Sequence, residues 1–134
     1  MNQQPYVLYR TTDGGARWIA SMEEGYFGSA DPDAHTQRSL GAYSGPFTVV
    51  SSTTAYFLGE TVPVGPRGRV YVSGTTDGGR SWRRYTIPCL SALKPVTIQF
   101  RNRLRGWVAG TCSGRSTVMA TANGGRTWIR HRVA

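Results

Sequence analysis

An eight-residue phrase recurs three times in this chain, and its spacing constrains the fold more than any other feature. The letters TTDGG stand at residues 11–15 and again at 75–79, and TANGG stands at 121–125. A tryptophan follows three residues after the last glycine of each copy. The copies begin 64 and 46 residues apart, and the second interval has the length of a four-stranded structural repeat, about 40–50 residues. The spacing therefore predicts a chain built from repeated units.

Segments rich in β-branched and aromatic residues surround the second and third copies. The second copy follows PFTVVSST, AYFLGE and GRVYVSG and precedes SWRRYTIP. The third copy follows PVTIQFRN, GWVAGT and STVMAT and precedes TWIRHRVA. Gly, Pro, Ser and Asn separate these segments, as is typical of short strands joined by turns. We predict four antiparallel strands, A to D, in each unit, with the repeated phrase at the turn from C to D.

The units fill the chain unevenly. Residues 1–22 supply strands C and D only, so the first unit is half a unit. Residues 23–45 are rich in glycine and poorly periodic, which predicts a long loop. Residues 46–88 and 89–134 each contain the segments of a complete unit. The predicted fold is all-β, with about two and a half four-stranded units in one domain over residues 1–134.

The repeated phrase has the composition of a tight turn. Asp-Gly and Asn-Gly favour hairpin turns because these residues tolerate a positive φ. We expect the Asp or Asn side chain to accept hydrogen bonds from buried turn amides, with a contribution from the threonine hydroxyl. The tryptophan is expected to fill space between neighbouring sheets. A structural role is therefore predicted for Thr11, Asp13, Gly15, Trp18, Thr75, Asp77, Gly79, Trp82, Thr121, Asn123, Gly125 and Trp128.

The phrase also resembles a known repeat. TTDGGRSW at residues 75–82 is similar to the Asp-box, or bacterial neuraminidase (BNR), repeat, whose pattern is S/T-x-D-x-G-x-T-W. Asn123 replaces the aspartate in the third copy, and Arg17 stands at the usual threonine position in the first. FRNRLRGWVAG at residues 100–110 resembles the hairpin of strands A and B in bacterial propellers such as the photosystem II assembly factors. The resemblance implies a partial β-propeller.

Proteins that carry Asp-box repeats include sialidases, sortilin-type receptors, glycan-degrading enzymes and assembly factors, so the resemblance leaves the activity undecided. It implies that the box residues are structural in this chain as well. A sialidase-like site would require three converging arginines, a Tyr–Glu pair and an acidic Asp. Carboxylates are scarce here, since Glu60 is the only acid between Asp33 and Asp77. We therefore expect no enzyme activity.

No cofactor, metal or membrane span is expected. His35 and His131 have no partner at a metal-ligand spacing, and the glycines fit neither a phosphate-binding loop nor a dinucleotide fingerprint. No stretch approaches the about 20 apolar residues that a membrane span needs. The start of the chain, MNQQPYVLYR, lacks the basic and apolar regions of a signal peptide.

Arginine dominates the second half of the chain. Residues 1–60 contain three arginines and six acidic residues, whereas residues 61–134 contain twelve arginines and one lysine against Asp77 alone. The formal net charge is +9. A basic field of this kind attracts nucleic acid, anionic lipid or acidic protein, although it also suits a solvated surface. No interleaving of aromatic and basic residues accompanies it, so polyanion binding is an alternative rather than the main prediction.

The antiparallel order of the strands separates their connections into two ends. The A–B and C–D turns share one end, and the B–C and D–A connections share the other with the long loop. Long loops on a rigid scaffold commonly bind partners, so candidate ligand-binding residues at that end are Arg67, Arg69 and Arg115. We predict a non-catalytic module that binds a protein or glycan partner there, in an assembly or scaffold role. The alternatives are a fragment of an Asp-box glycoside hydrolase and an arginine-rich polyanion-binding module.

The two cysteines are predicted to pair. Cys89 is expected in a D–A connection and Cys112 in the next B–C connection, at the same end of the units. An even pair in a repeat family that is often exported favours a disulfide, and with it an extracytoplasmic or secreted location.

Self-association is also predicted, and the alternatives are that the chain is part of a longer propeller or that the long loop covers the open edge. Closed propellers have about four to eight blades, more than this chain encodes. An open arc exposes the faces of its terminal sheets and leaves an unpaired strand edge in the half unit. The acidic front and basic back of the sequence favour head-to-tail contact.

Overall fold

The described part of the chain folds into β-strands joined by turns. The computed structural model describes residues 6–24, 37–38, 43–60, 69–91 and 97–133. Eleven strands and no helix occur in these ranges, which confirms the predicted all-β class. The strands form three sheets, of three, four and four strands.

The first sheet is the half unit with a short addition. Strands β1 (Tyr6–Arg10) and β2 (Ile19–Glu24) pair antiparallel, and the two-residue strand β3 (Gln37–Arg38) adds to β2 in parallel. The loop predicted over residues 23–45 is thus shorter, because it contains the end of β2, all of β3 and the start of the next strand. Its residues 25–36 and 39–42 lie outside the described ranges.

The second and third sheets each have four antiparallel strands in chain order, as predicted for strands A to D. The repeated phrase joins strands C and D in each sheet. The second sheet consists of β4 (Tyr43–Val49), β5 (Ala55–Glu60), β6 (Arg69–Thr75) and β7 (Arg83–Ser91). The third consists of β8 (Thr97–Phe100), β9 (Gly106–Cys112), β10 (Arg115–Thr121) and β11 (Ile129–Arg132).

The two complete sheets have the same register around the repeated phrase. Thr75 pairs with Ala55 in the second sheet, and Thr121 pairs with Gly106 in the third. Residues at the same distance from these pairs are therefore equivalent, so that Tyr56 of β5 corresponds to Trp107 of β9. The two complete sheets therefore match position by position on both sides of the repeated turn.

The second and third sheets share the larger apolar core. Tyr56, Leu58 and Val72 are buried in a cluster with residues of the third sheet that include Phe100 and Val108. The ring of Tyr56 stacks on that of Phe100 with centroids 3.7 Å apart, and its hydroxyl donates to the carbonyl of Arg103 at 2.7 Å. The ring contact and the hydrogen bond together hold β5 against the turn between β8 and β9.

The opposite face of the second sheet packs on the first sheet. Phe57 lies between Tyr56 and Leu58 in β5 and clusters instead with Trp82 and Met22, because side chains of a strand alternate between its faces. The indole N–H of Trp82 donates to Oγ of Ser21 at 2.9 Å, and that hydroxyl donates to the carbonyl of Gly79. Both faces of the second sheet are thus covered by neighbouring sheets.

Cys89 and Cys112 lie within disulfide distance, as the sequence predicted, with their Cα atoms 5.3 Å apart. The positions of both cysteines differ from expectation, since Cys89 lies within β7 and Cys112 is the last residue of β9 rather than part of a connection. The pairing of β6 with β7 shifts between Arg69 and Tyr71, and Cys89 adopts a positive φ of 72° in the shifted part of β7. The pair links the second and third sheets at the end opposite the repeated turns.

The disulfide predicts a redox-dependent stability. A crosslink over 23 residues is expected to contribute about 3 kcal/mol by restricting the unfolded chain. Denaturant unfolding with and without reductant should show this loss in the wild-type protein. The double variant Cys89→Ser/Cys112→Ser should be insensitive to reductant, and two alkylatable thiols in the unreduced protein would contradict the pairing.

Candidate functional site

The repeated turns are closed by the threonine that begins each phrase. Oγ1 of Thr75 accepts a hydrogen bond from the buried N–H of Gly79 at 2.9 Å and donates to Oδ1 of Asp77, also at 2.9 Å. The same Oδ1 accepts the N–H of Ser81 at 2.9 Å. Gly78 and Gly79 have positive φ values of 73° and 84°, a region that favours glycine. The threonine, not the aspartate, therefore satisfies the buried amide, because the amide bound by Asp77 is exposed.

Asn123 forms the same turn as Asp77 but carries no negative charge. Oδ1 of Asn123 accepts hydrogen bonds from the Thr121 hydroxyl at 3.0 Å and from the Thr127 N–H at 2.9 Å. Its amide nitrogen donates to the Thr127 hydroxyl at 2.7 Å. Thr11 and Asp13 form the same bonds in the first copy. The threonine and the Asp or Asn side chains of all three turns thus form hydrogen bonds within the turns themselves.

The carboxylates of the turns are held in their charged form. The hydroxyl of Ser81 is the largest cause that lowers the pKa of Asp77 to about 2, with help from its N–H and from Thr75. The backbone N–H of Arg17 lowers the pKa of Asp13. Neither group is suited to act as a general acid near neutral pH, because the proton is already lost.

A cleft lies beside the turns at each boundary between sheets. The first cleft, between the first and second sheets, has a volume of about 490 Å³, and the second, between the second and third sheets, has about 360 Å³. Each is bordered by the A–B turn and the repeated turn of one sheet. The N–H of Gly78 donates to the carbonyl of Thr53 at 2.8 Å, and that of Gly124 donates to the carbonyl of Leu104 at 2.9 Å. The two clefts therefore have the same backbone frame.

The charges on this common frame differ between the clefts. In the first cleft, Ser52 and Asp77 stand where the second has Arg103 and Asn123. Arg80 lines the first cleft and its equivalent Arg126 lines the second.

The second cleft also gains Arg83, whose equivalent in the first sheet is Ile19. We name it the arginine cleft after Arg83, Arg103 and Arg126. None of these three side chains has a carboxylate within 4.0 Å among the side chains that the structure describes. In the first cleft, by contrast, the negative charge of Asp77 offsets part of the positive charge of Arg10 and Arg80.

The backbone that presents Arg103 is held in place before any ligand arrives. Its carbonyl accepts the hydroxyl of Tyr56, whose pKa is raised mainly by burial, so that the phenol stays protonated as a donor. Oδ1 of Asn102 accepts the N–H groups of Leu104 and Arg105 at 2.9 and 2.8 Å. Fixing the turn in advance reduces the entropy lost on binding.

Three guanidinium groups suit anionic ligands. Each has five N–H donors in a planar fork that matches the oxygens of a carboxylate, sulfate or phosphate. Thr76, Ser81 and the phenol of Tyr85 add neutral polar atoms to the lining. The lining as described contains no histidine, cysteine or carboxylate, so the cleft is suited to binding rather than to proton transfer.

The arginine cleft was not predicted as the site. Arg67 lies outside the described residues, and Arg69 is the first residue of β6. Arg115 is exposed at the start of β10, opposite Cys112 in the ladder and at the other end of the sheet from the cleft. The sequence nevertheless indicated that two of these arginines lie near each other, because Arg103 belongs to an A–B turn and Arg126 to a C–D turn, and these turns were expected to share one end.

Two further expectations concern metals and membranes. The described residues contain no group of three side chains suited to hold a metal ion. His131 is exposed on β11, and His35 lies outside the described ranges. No helix long and apolar enough to cross a membrane occurs in the described part of the chain.

No protein-family model, curated protein or solved structure matches the chain. The geometry of the clefts and of the repeated turns is therefore the basis for the function.

The hydrogen bonds of the turn predict which substitution destabilises it. Thr75→Ala should lower the free energy of unfolding by about 1–3 kcal/mol, because the buried N–H of Gly79 loses its acceptor. Thr75→Ser keeps the hydroxyl and is the matched control. Asp77→Ala should cost less, about 0.5–1.5 kcal/mol, because water can reach the N–H of Ser81. Denaturant unfolding measures all three, and a larger loss for Asp77→Ala than for Thr75→Ala would refute this assignment.

The low pKa of Asp77 predicts a loss of stability in acid. Its folded pKa of about 2 lies below the ordinary value of 3.8. The ionised carboxylate therefore stabilises the fold fully above pH 3.8, and this contribution is lost as the pH falls from there towards 2. Asp77→Asn keeps an acceptor oxygen, as Asn123 does, and should show a shallower decline in urea midpoint over this range. Identical acid profiles for the two proteins would argue against the assignment.

Proposed function

We propose that this chain is a non-catalytic binding module of the Asp-box propeller type and that it binds an acidic partner at the arginine cleft. The observation that carries the proposal is the presence of three arginines without carboxylate partners among the described side chains, in a cleft whose repeat equivalent contains an aspartate.

Three features support the propeller assignment. The four-stranded sheets have the strand order A to D, they pack face to face, and the repeated phrase closes the C–D turn in each. The shared register of the second and third sheets around Thr75 and Thr121 is what a repeated blade requires. A ring of blades would bring further sheets against the two ends of this stack.

The chemistry of the cleft supports a partner with several anionic groups. An acidic glycan or an acidic protein segment would supply carboxylate or sulfate oxygens to Arg83, Arg103 and Arg126. Arginine binds such oxygens in pairs and tolerates partial burial better than lysine. Binding by the loops at the other end, with Arg67, Arg69 and Arg115, is the alternative to this cleft, and a selective loss of affinity in Arg115→Ser would favour that alternative.

The proposal is tested by placing in the arginine cleft the residues that occupy the equivalent positions of the first cleft. Arg103→Ser introduces the residue found at the equivalent position, Ser52, and should weaken binding to heparin or to polyglutamate about tenfold. Asn123→Asp adds the charge that Asp77 has in the first cleft and should weaken binding without loss of stability. Affinity is measured by titration at several salt concentrations, because loss of an ionic contact reduces the salt dependence.

Arg115→Ser is the matched control, since it removes one exposed arginine at the other end of the third sheet. It should leave the affinity within about twofold of the wild-type value. An equal loss for Arg103→Ser and Arg115→Ser would mean that binding follows the net charge of the chain rather than the cleft. A ligand preference for heparin over polyglutamate, or the reverse, would distinguish an acidic glycan from an acidic protein segment.

A further inference from the structure

Two apolar side chains at the boundary of the first and second sheets are exposed where their repeat equivalents are buried. Val49, the last residue of β4, is 72% exposed, whereas its equivalent Phe100, the last residue of β8, is 5% exposed. Trp18 is 60% exposed, whereas its equivalent Trp82 is 7% exposed. In both pairs the buried member is covered by a strand B, and the first sheet has no described strand B.

Strand B of the second sheet covers both kinds of position with neighbouring residues. In β5, the ring of Tyr56 stacks on Phe100 of the next sheet, with centroids 3.7 Å apart. The next residue, Phe57, points to the other face and meets the edge of Trp82 in its own sheet, with centroids 5.4 Å apart. In the first sheet, β1 and β2 are strands C and D, and β1 pairs with no other described strand. The two exposed side chains therefore share one cause, which is the empty place of strand B beside β1.

A single groove of about 330 Å³ occupies this place, between the first and second sheets. Trp18, Tyr9 and Leu8 line it from the first sheet, and Phe47 and Val49 line it from the second. Leu8 packs towards the second sheet, so Tyr9, the next residue of β1, lies on the opposite face. Because the groove reaches both residues, it passes around the free edge of β1, as the space for one added strand would. We name it the strand slot.

The strand slot differs from its repeat equivalent by one charge. Arg10 of β1 is equivalent to Gly74 of β6, since each precedes the threonine of a repeated turn. Gly74 leaves room for the ring of Tyr56, its partner in the ladder. Arg10 takes that room with a side chain that reaches Gly79 of the second sheet, and no described carboxylate lies within 4.0 Å of it. A strand added here is therefore expected to place an acidic residue, rather than a tyrosine, opposite Arg10.

From the strand slot and its charge we infer that an extended segment of a different protein adds to the free edge of β1 as strand B. Main-chain hydrogen bonds to β1 would hold the segment, and its alternating side chains would give the specificity. The register of β5 on β6 defines the motif. An acidic residue lies opposite Arg10, the following aromatic residue lies opposite Tyr9 and against Trp18, and an aliphatic residue comes next, towards Phe47. The slot lies at the other boundary of the second sheet from the arginine cleft, so it is a second binding site.

Two capped peptides that differ only in residue order test the inference. TAEFLGE is the sequence of residues 54–60 with glutamate in place of the tyrosine, and it follows the motif. TAFELGE has the same composition and charge, but its phenylalanine would face Arg10 and its glutamate would face Trp18. Titration calorimetry with the whole chain should show about tenfold tighter binding of TAEFLGE. Hydrogen exchange of the β1 amides should slow when that peptide is bound. Equal affinities for the two peptides would overturn the inference.

Substitutions in the chain separate the contacts of the peptide. Trp18→Ala should weaken binding of TAEFLGE about tenfold, because the aromatic contact is lost. Trp107→Ala removes an exposed tryptophan of the third sheet and is the matched control, with an affinity within about twofold of the wild-type value. Arg10→Gly should reverse the preference in favour of TAYFLGE, the natural order of residues 54–60, because glycine leaves room for the tyrosine ring as Gly74 does.

Three further outcomes decide what occupies the slot. Arg103→Ser, which weakens the arginine cleft, should leave peptide binding unchanged, so the two sites can fail separately. Equal losses in Trp18→Ala and Trp107→Ala would mean that the peptide binds any exposed tryptophan, contrary to the inference. A wild-type chain that dimerises in light scattering, and that becomes monomeric in Trp18→Ala, would assign the slot to a second copy instead. Trp18 is exposed, so Trp18→Ala should stay folded and keep the test decisive even if Arg10→Gly unfolds.

Discussion

The hydrogen bond from the second glycine of each repeated turn to the threonine hydroxyl is the contact on which the rest of the structure depends. It closes the hairpin between strands C and D, and it satisfies an amide that is buried in the second and third copies. The adjacent glycine reaches the A–B turn of the same sheet, as Gly78 does at Thr53. The turn also receives the neighbouring sheet, since the carbonyl of Gly79 accepts Ser21. One short segment therefore fixes the hairpin, the sheet and the boundary between sheets.

The second sheet shows how a strand with two buried faces is built. Tyr56 and Phe57 are neighbours in β5, yet one ring belongs to the core with the third sheet and the other to the core with the first. Glycines opposite the tyrosines make room for the rings, because a side chain at Gly74 would overlap Tyr56 and one at Gly59 would overlap Tyr71. A ring placed over a glycine keeps the sheets close while filling the space between them.

The two clefts share the same backbone hydrogen bonds but differ in the charged side chains that line them. Asp77 and Asn123 support the same turn through the same oxygen, so the fold is insensitive to which of them is present. The surface charge does depend on this residue, because Asn123 lacks the negative charge that an aspartate would place beside Arg126. Selective binding is expected where the repeats differ, because the shared threonine and glycine positions of the turns are occupied by the hydrogen bonds of the fold.

The sequence by itself determined the all-β class, the strand order within each unit and the place of the repeated turn, because turn chemistry and alternation act over neighbouring residues. It also predicted the pairing of Cys89 with Cys112, because the antiparallel strand order places both at the same end of the units. It did not determine the bounds of the loop predicted over 23–45 or the role of Thr75, since burial of the Gly79 amide depends on the neighbouring sheet. Only the tertiary structure brought Arg83, Arg103 and Arg126 into one cleft. These residues come from separate strands and turns, and their proximity follows from the packing of one sheet against the next.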